Sequence, residues 1–452
     1  MKLAVLLIPL AFVAITINPV LTQNSENTTD EWSMQRYDPQ RTGFTPAKIS
    51  SDLELRWLFK TSAEVWTTPA VINGRVYVGA GGWGPGWFYC LNAENGQSLW
   101  EFEAPNTVSS PIVRNNRVYF GDFDNFYCLD AENGSIIWAF RGVDTSPITD
   151  QLRLGDDFRS PTLTDNKIYV ASSSYSYVHC LSAENGEIIW QRENLGYRAS
   201  PAVAYGKVFV GGDIPFSALD AENDGVVWSY PIWTERSSAA VANGKVYVGS
   251  LCYQVSKVPS VDRWENRLYC FDAENGEVLW TFTTEGEVLS SPAVAYGKVY
   301  IGDAVGELYC LNAENGGLVW SYYTGTRVLT FSPIIADGKV FMGDHAGADA
   351  GDPCYLQCLD AETGELLWGE DEWSIRVKYN TYLGPVEGLS VANGKLYAGT
   401  HGHMVVCFGP RSPEPTPETA ESINMWPWLI FGGSIVGLLV LLCVLKVRPR
   451  FT

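Results

Sequence analysis

The stretch SPAVAYGKVYIGDAVGELYCLNAENGGLVW, residues 291–320, decides the fold. Residues 293–295 reach a turn at Tyr296 and Gly297, residues 298–301 and 307–311 follow as further runs, and a fourth spans 317–322. Each run is short and bounded by Gly, Asn or Asp, the signature of hairpin-connected strands. Such a sheet cannot bury its own two faces, so it needs neighbours of the same kind.

The closing tryptophan counts those neighbours. Trp57, Trp100, Trp138, Trp190, Trp228, Trp280, Trp320 and Trp368 stand 38 to 52 residues apart. Seven of them follow a turn of the NAENG or DAETG type, at 92–96, 130–134, 182–186, 220–225, 272–276, 312–316 and 360–364. Trp57 has no such turn before it. The last copy, GLSVANGKLYAGTHGHMVVCF at 388–408, supplies three strands and no closing Trp. The strand around residues 55–60 is therefore expected to complete the last sheet. That seals an all-β, eight-bladed propeller of four-stranded antiparallel blades with no long exposed edge.

These repeats resemble those of the quinoprotein, or PQQ-like, β-propeller family, whose pattern is A-x-D-x-x-T-G-x-x-x-W. The resemblance covers roughly residues 56–409, and the lead-in DPQRTGFTP at 38–46 is also similar to that family's. It implies the propeller fold strongly and a chemistry weakly, because one propeller hosts many functions.

With 51 acidic and 31 basic residues the chain carries a net charge of −20, which argues against a nucleic-acid partner. Residues 1–23, with Lys2 before an apolar run, read as a secretory signal, and an uncleaved N-terminal anchor is the alternative. Residues 24–54 read as an N-terminal extension, 55–410 as the propeller and 411–425 as a Pro/Glu-rich stalk. Residues 426–445 carry no charge over a bilayer's length and read as a transmembrane helix, with 446–452 as a basic cytoplasmic tail. The expectation is a single-pass protein of the cell membrane with its propeller extracellular.

Ten cysteines then need a reading. Cys90, Cys128, Cys180, Cys270, Cys310, Cys358 and Cys407 share one repeat position, where the fourth blade has Ala218. Stacked sheets lie about 10 Å apart, beyond the roughly 7 Å a disulfide spans. These are read as small buried thiols. Cys252 and Cys354 break the pattern, and Cys443 falls in the apolar span.

If the first strand of each blade lines the channel, the short turns share one face and the variable connections the other. Function is expected on the variable side, since loops on a rigid scaffold carry binding residues. Trp66, Trp83, Trp87, Trp233, Trp264 and Trp373 fall in or beside those connections, as recognition aromatics or as the loops' own clusters. Arg159, Arg198 and Arg236 precede the serines that open three consecutive channel strands, so they converge on an anion or form local ion pairs. His345, His401 and His403, with Cys354, follow second strands of adjacent blades and form a candidate transition-metal set, or polar loop packing. His179, at a position usually held by Tyr, reads as structural.

Two functions compete. The resemblance implies a quinone-dependent dehydrogenase with PQQ as cofactor. However, the sequence has no adjacent Cys-Cys pair, no matching calcium set and no C-x-x-C-H haem motif. The other reading, preferred here, is a ligand- or protein-binding scaffold without cofactor, whose partner is an extracellular protein, peptide or glycan. That reading resembles the propeller lipoprotein of outer-membrane barrel assembly, which holds partners and has no catalytic role.

Overall fold

Middle strands covered on both faces should run apolar without a break, and they do. Lys298–Gly302 is buried from its second residue onward, whereas the outer strand Leu318–Tyr323 has no fully buried residue and leaves Leu318, Val319, Ser321 and Tyr323 exposed. The computed structural model describes residues 31–82, 84–105, 108–122, 125–141, 160–172, 177–193, 199–212, 215–234, 236–251, 266–325, 332–343, 355–371 and 386–411. The apolar span at 426–445 lies outside them. Among the described residues no helix is long and apolar enough to cross a membrane.

Eight sheets form, each strand pairing antiparallel with the next in sequence. The first strands, from Ala70–Ile72 in blade 1 through Ala293–Ala295 in blade 6 to Val386–Ala392 in blade 8, neighbour one another around the channel. Ring closure is as expected: Leu53–Lys60 pairs with Met404–Pro410, with Trp57 opposite Cys407. One blade departs from four strands, because Phe44–Thr45 adds in parallel to Ile334–Ala336 and makes blade 7 five-stranded.

The core lies between blades. Ala293, Tyr300 and Cys310 of blade 6 pack on Val340, Leu359 and Ala361 of blade 7. All seven repeat cysteines are buried free thiols, and Ala218 fills the same slot at full burial. Burial pushes the Cys310 thiol up to about 12, which removes its thiolate chemistry.

Three contacts recur on the short-turn face, the tryptophan bond at seven joints and the tyrosine bond at six of them, since blade 4 has Phe209 in the tyrosine's place. The indole N–H of Trp280 donates to the Ala313 carbonyl of the next blade at 3.2 Å, and the Tyr247 hydroxyl donates to the same oxygen at 3.1 Å. Lys298 meets Glu362 at 2.7 Å, as Lys167 meets Glu222 and Lys207 meets Glu274. The turn glycine that each tryptophan covers has positive φ, and a Cβ at Gly316 would stand 2.6 Å from Trp280. At 220–225 the left-handed residue is Asp224, with φ 60, in the place other blades give to glycine.

Candidate functional site

Residues 32–49, part of the segment read as an N-terminal extension, line the channel strands. The segment has the turn chemistry for it: Arg36, Tyr37, Arg41 and Gly43 all take positive φ, so the chain winds rather than extends. Its carbonyls meet the central amide of one channel strand after another. Val71 exchanges two hydrogen bonds with Trp32, Val113 donates to Ser33, and Val203 to Pro39. Val241 then donates to Gln40, Val294 to Thr42 and Ile335 to Gly43, each at 2.8–2.9 Å. Ile49 bridges Gly394 in blade 8.

Two arginines complete the hub. Arg36 donates to the carbonyls of Pro333 and Pro292, and Arg41 to those of Pro201 at 2.6 Å and Ser160 at 2.7 Å. These carbonyls open the channel strands and lie toward the variable connections, so both side chains reach from the strap into the channel. Arg36 is 4% and Arg41 1% exposed. Asp38 is the carboxylate of the cluster, and it accepts both the amide and the hydroxyl of Thr42, at 2.9 and 2.6 Å. Burial pulls Arg36 down to about 9 against the attraction of Asp38. Burial and the charge of Arg36 bring Arg41 to about 9 as well. Burial lifts Asp38 to about 6 against its bonds to Thr42 and the two arginines.

Around this hub the channel strands tie to one another. Ser110, Ser238, Ser291 and Ser332 accept, through their hydroxyl oxygens, the backbone N–H of Thr68, Ser200, Ser238 and Ser291 respectively, at 2.8–3.0 Å.

On the face of the variable connections, Trp66 is exposed. It keeps 48% of its surface open, donates its indole N–H to Glu64 at 2.9 Å and lies on the His401 ring at 4.3 Å between centroids. Of the other expected aromatics, Trp87 is half-buried against the blade 1 core and Trp233 is half-buried. Trp83, Trp264 and Trp373 lie outside the described residues. Arg236 is exposed, while Arg159 and Arg198 lie outside the described residues. His403 is exposed in the same turn as His401, at positive φ, and His345 and Cys354 lie outside the described residues. Among the described residues no group of three metal-binding side chains converges. His179 is fully buried between Tyr177 and Phe140, and burial lowers it to about 4. Asp122 and Asp303, which follow second strands, are tied to Tyr127 and Tyr309 within their own blades.

Sequence reasoning missed Arg36, Asp38 and Arg41. The signal was present in the cluster of charge, Pro and Gly at 36–46, which no strand period explains.

The family profile described as outer membrane protein assembly factor BamB matches residues 47–229 and 211–408. Among solved structures, BamB from Moraxella catarrhalis superimposes with a TM-score of 0.57 at 18% identity, over 80% of this chain and 99% of that one. A quinohemoprotein alcohol dehydrogenase from Pseudomonas putida gives 0.60 at 15% identity, over 86% of this chain and 82% of that one. At these identities the likeness is one of fold. Tetrathionate hydrolase of Acidithiobacillus ferrooxidans is 28% identical over 127 residues, 26% of this chain and 24% of the enzyme. The chain thus spans about a quarter of the curated relative it matches.

Proposed function

The chain belongs to the family described as outer membrane protein assembly factor BamB, and from that premise we propose that it is a membrane-tethered, extracellular binding scaffold. Residues 426–445 are its anchor, and the face of the variable connections docks a protein, peptide or glycan. The supporting observation is the asymmetry of the two faces. Glu31 accepts the Asn73 amide at a short turn of blade 1, and Arg411, following the strand that runs toward that face in blade 8, pairs with Asp52 at 2.8 Å. Both ends of the described chain therefore leave from the short-turn face, where lysines, glutamates and tryptophans are already engaged between blades. Clamped, half-open tryptophans suit recognition, because little side-chain entropy remains to be lost on docking.

The alternative, a quinone-dependent dehydrogenase, needs flat partners for the quinone. The described channel strands carry no aromatic residue, so this reading gains nothing from them.

Peptide and glycan panels presented to the full chain in detergent test the proposal. Trp66→Ala should weaken a selected ligand at least tenfold and Glu314→Ala, on the other face, should leave it unchanged. Equal effects from both would refute docking on the variable face.

A further inference from the structure

Among the described residues the hub holds two guanidiniums and one carboxylate, and the guanidiniums' hydrogen-bond partners are all neutral oxygens. Buried charge is retained when it is paired, and carbonyl dipoles offset only part of the desolvation of a second cation. The Nε–H of Arg36 is buried and donates to nothing. An amide or guanidinium donor left unmade in the interior is uncommon enough to need a reason. Gly43 fixes where that donor points. A Cβ there would stand 2.4 Å from Arg36 Nη2, so the guanidinium rests on bare backbone. Next to the carbonyls that hold Arg36 are Ser291 and Ser332. Each accepts a backbone N–H through its hydroxyl oxygen, which leaves the O–H free to donate in turn.

We propose that the hub is a binding site for a small oxyanion, a carboxylate, sulfate or phosphate group. One oxygen accepts the Arg36 Nε–H, and the charge balances the pair Arg36 and Arg41. The strap 32–49 fills the channel on the short-turn side, so the anion enters from the variable face. In a protein of net charge −20 this is a local positive well inside a repelling surface, which selects a compact anion over a large acidic one. Asp38 tunes it: protonation of this carboxylate, which burial brings toward neutrality, removes the one competing negative charge and tightens binding. The site does not depend on what docks at Trp66.

Calorimetry and thermal melts of the full chain in neutral detergent test this, with acetate, sulfate and phosphate against chloride at equal ionic strength. At least one oxyanion should bind saturably and raise the melting temperature by several degrees over chloride, with affinity rising severalfold from pH 7.5 to 5.5. Arg36→Lys keeps the charge and removes the Nε–H, and should weaken binding at least tenfold. If that variant does not fold, Asp38→Asn decides: it should bind at pH 7.5 as tightly as the unaltered chain does at 5.5. Oxyanions no better than chloride, or unchanged affinity in the Arg36→Lys or Asp38→Asn protein, would overturn the proposal.

Discussion

Seven of the eight joints between blades are built alike, and the joint between blades 7 and 8 is not. At the ordinary joints a tryptophan donates to the alanine carbonyl of the next blade's turn, as Trp57 does to Ala93 and Trp320 to Ala361. Blade 8 has no such turn, because its outer strand comes from the start of the chain. Trp368 therefore meets the ring of Phe408 edge-on at 5.8 Å. Lys339 turns back to Asp337 of its own blade, and Asp337 takes Lys48 of the strap as a further partner. Ile49 of the strap bridges Gly394 at the same joint, while Phe44 packs at the joint of blades 6 and 7. The strap thus stands in for contacts that ring closure by the N-terminal strand removes, and it adds the hub that ties all blades at the axis.

The strongest way to break this comparison is to delete residues 31–49. The six channel-strand amides it satisfies would lose their partners and Trp32 and Met34 their burial. At a cost of about 1 kcal/mol or more for each lost bond, the sum rivals the whole stability of an ordinary domain, about 5–15 kcal/mol. Circular dichroism should show no cooperative melt.

A sharper comparison sets Trp320→Ala against Trp368→Ala. The first removes a ring, its hydrogen bond and its cover over Gly364, and should cost about 3–5 kcal/mol in denaturant unfolding. The second removes a ring alone and should cost less by roughly the 1 kcal/mol of a hydrogen bond. Equal losses would erase the distinction between the joints.

Acid should find an ordinary joint, not the exceptional one. His179 of blade 3 packs on Phe140 of blade 2, with its folded pKa lowered to about 4 from 6.5. The unfolded chain then binds the extra proton between those values. The contribution is complete above about pH 6.5 and is lost as pH falls toward 4, by about 3 kcal/mol. Asp38, raised to about 6, acts in the opposite sense in part of that window. The measurement is therefore the difference between His179→Phe and the unaltered chain, which should grow in favour of the variant as pH falls from 6.5 to 4.

The smallest effect concerns the joint of blades 3 and 4. Asp224 holds a left-handed conformation that glycine holds elsewhere, so Asp224→Gly should stabilise the protein by up to about 1 kcal/mol. Loss of the 3.8 Å pair with Arg192 works against that gain only slightly.

Periodic features were legible and single-copy features were not. The tryptophans, the buried thiols and closure through Trp57 repeat or complete a repeat, so spacing alone exposed them. The lysine or arginine that opens each second strand and the glutamate of each turn also repeat, as in Lys298 and Glu362, and their pairing needed only the knowledge that successive blades touch there. The hub occurs once. Arg36 bonds to Pro333 and Arg41 to Pro201, partners 297 and 160 residues away that no local pattern links. The anion-binding spot expected at Arg159, Arg198 and Arg236 is also built on guanidiniums but rests on residues other than those of the hub.

Hydrogen exchange at the channel strands tests the central claim, that the chain's own N-terminal segment seals the axis. The amides of Val203, Val241, Val294 and Ile335 should exchange as slowly as those of the neighbouring second strands. Exchange at the rate of an open sheet edge would mean that residues 32–49 do not occupy the channel.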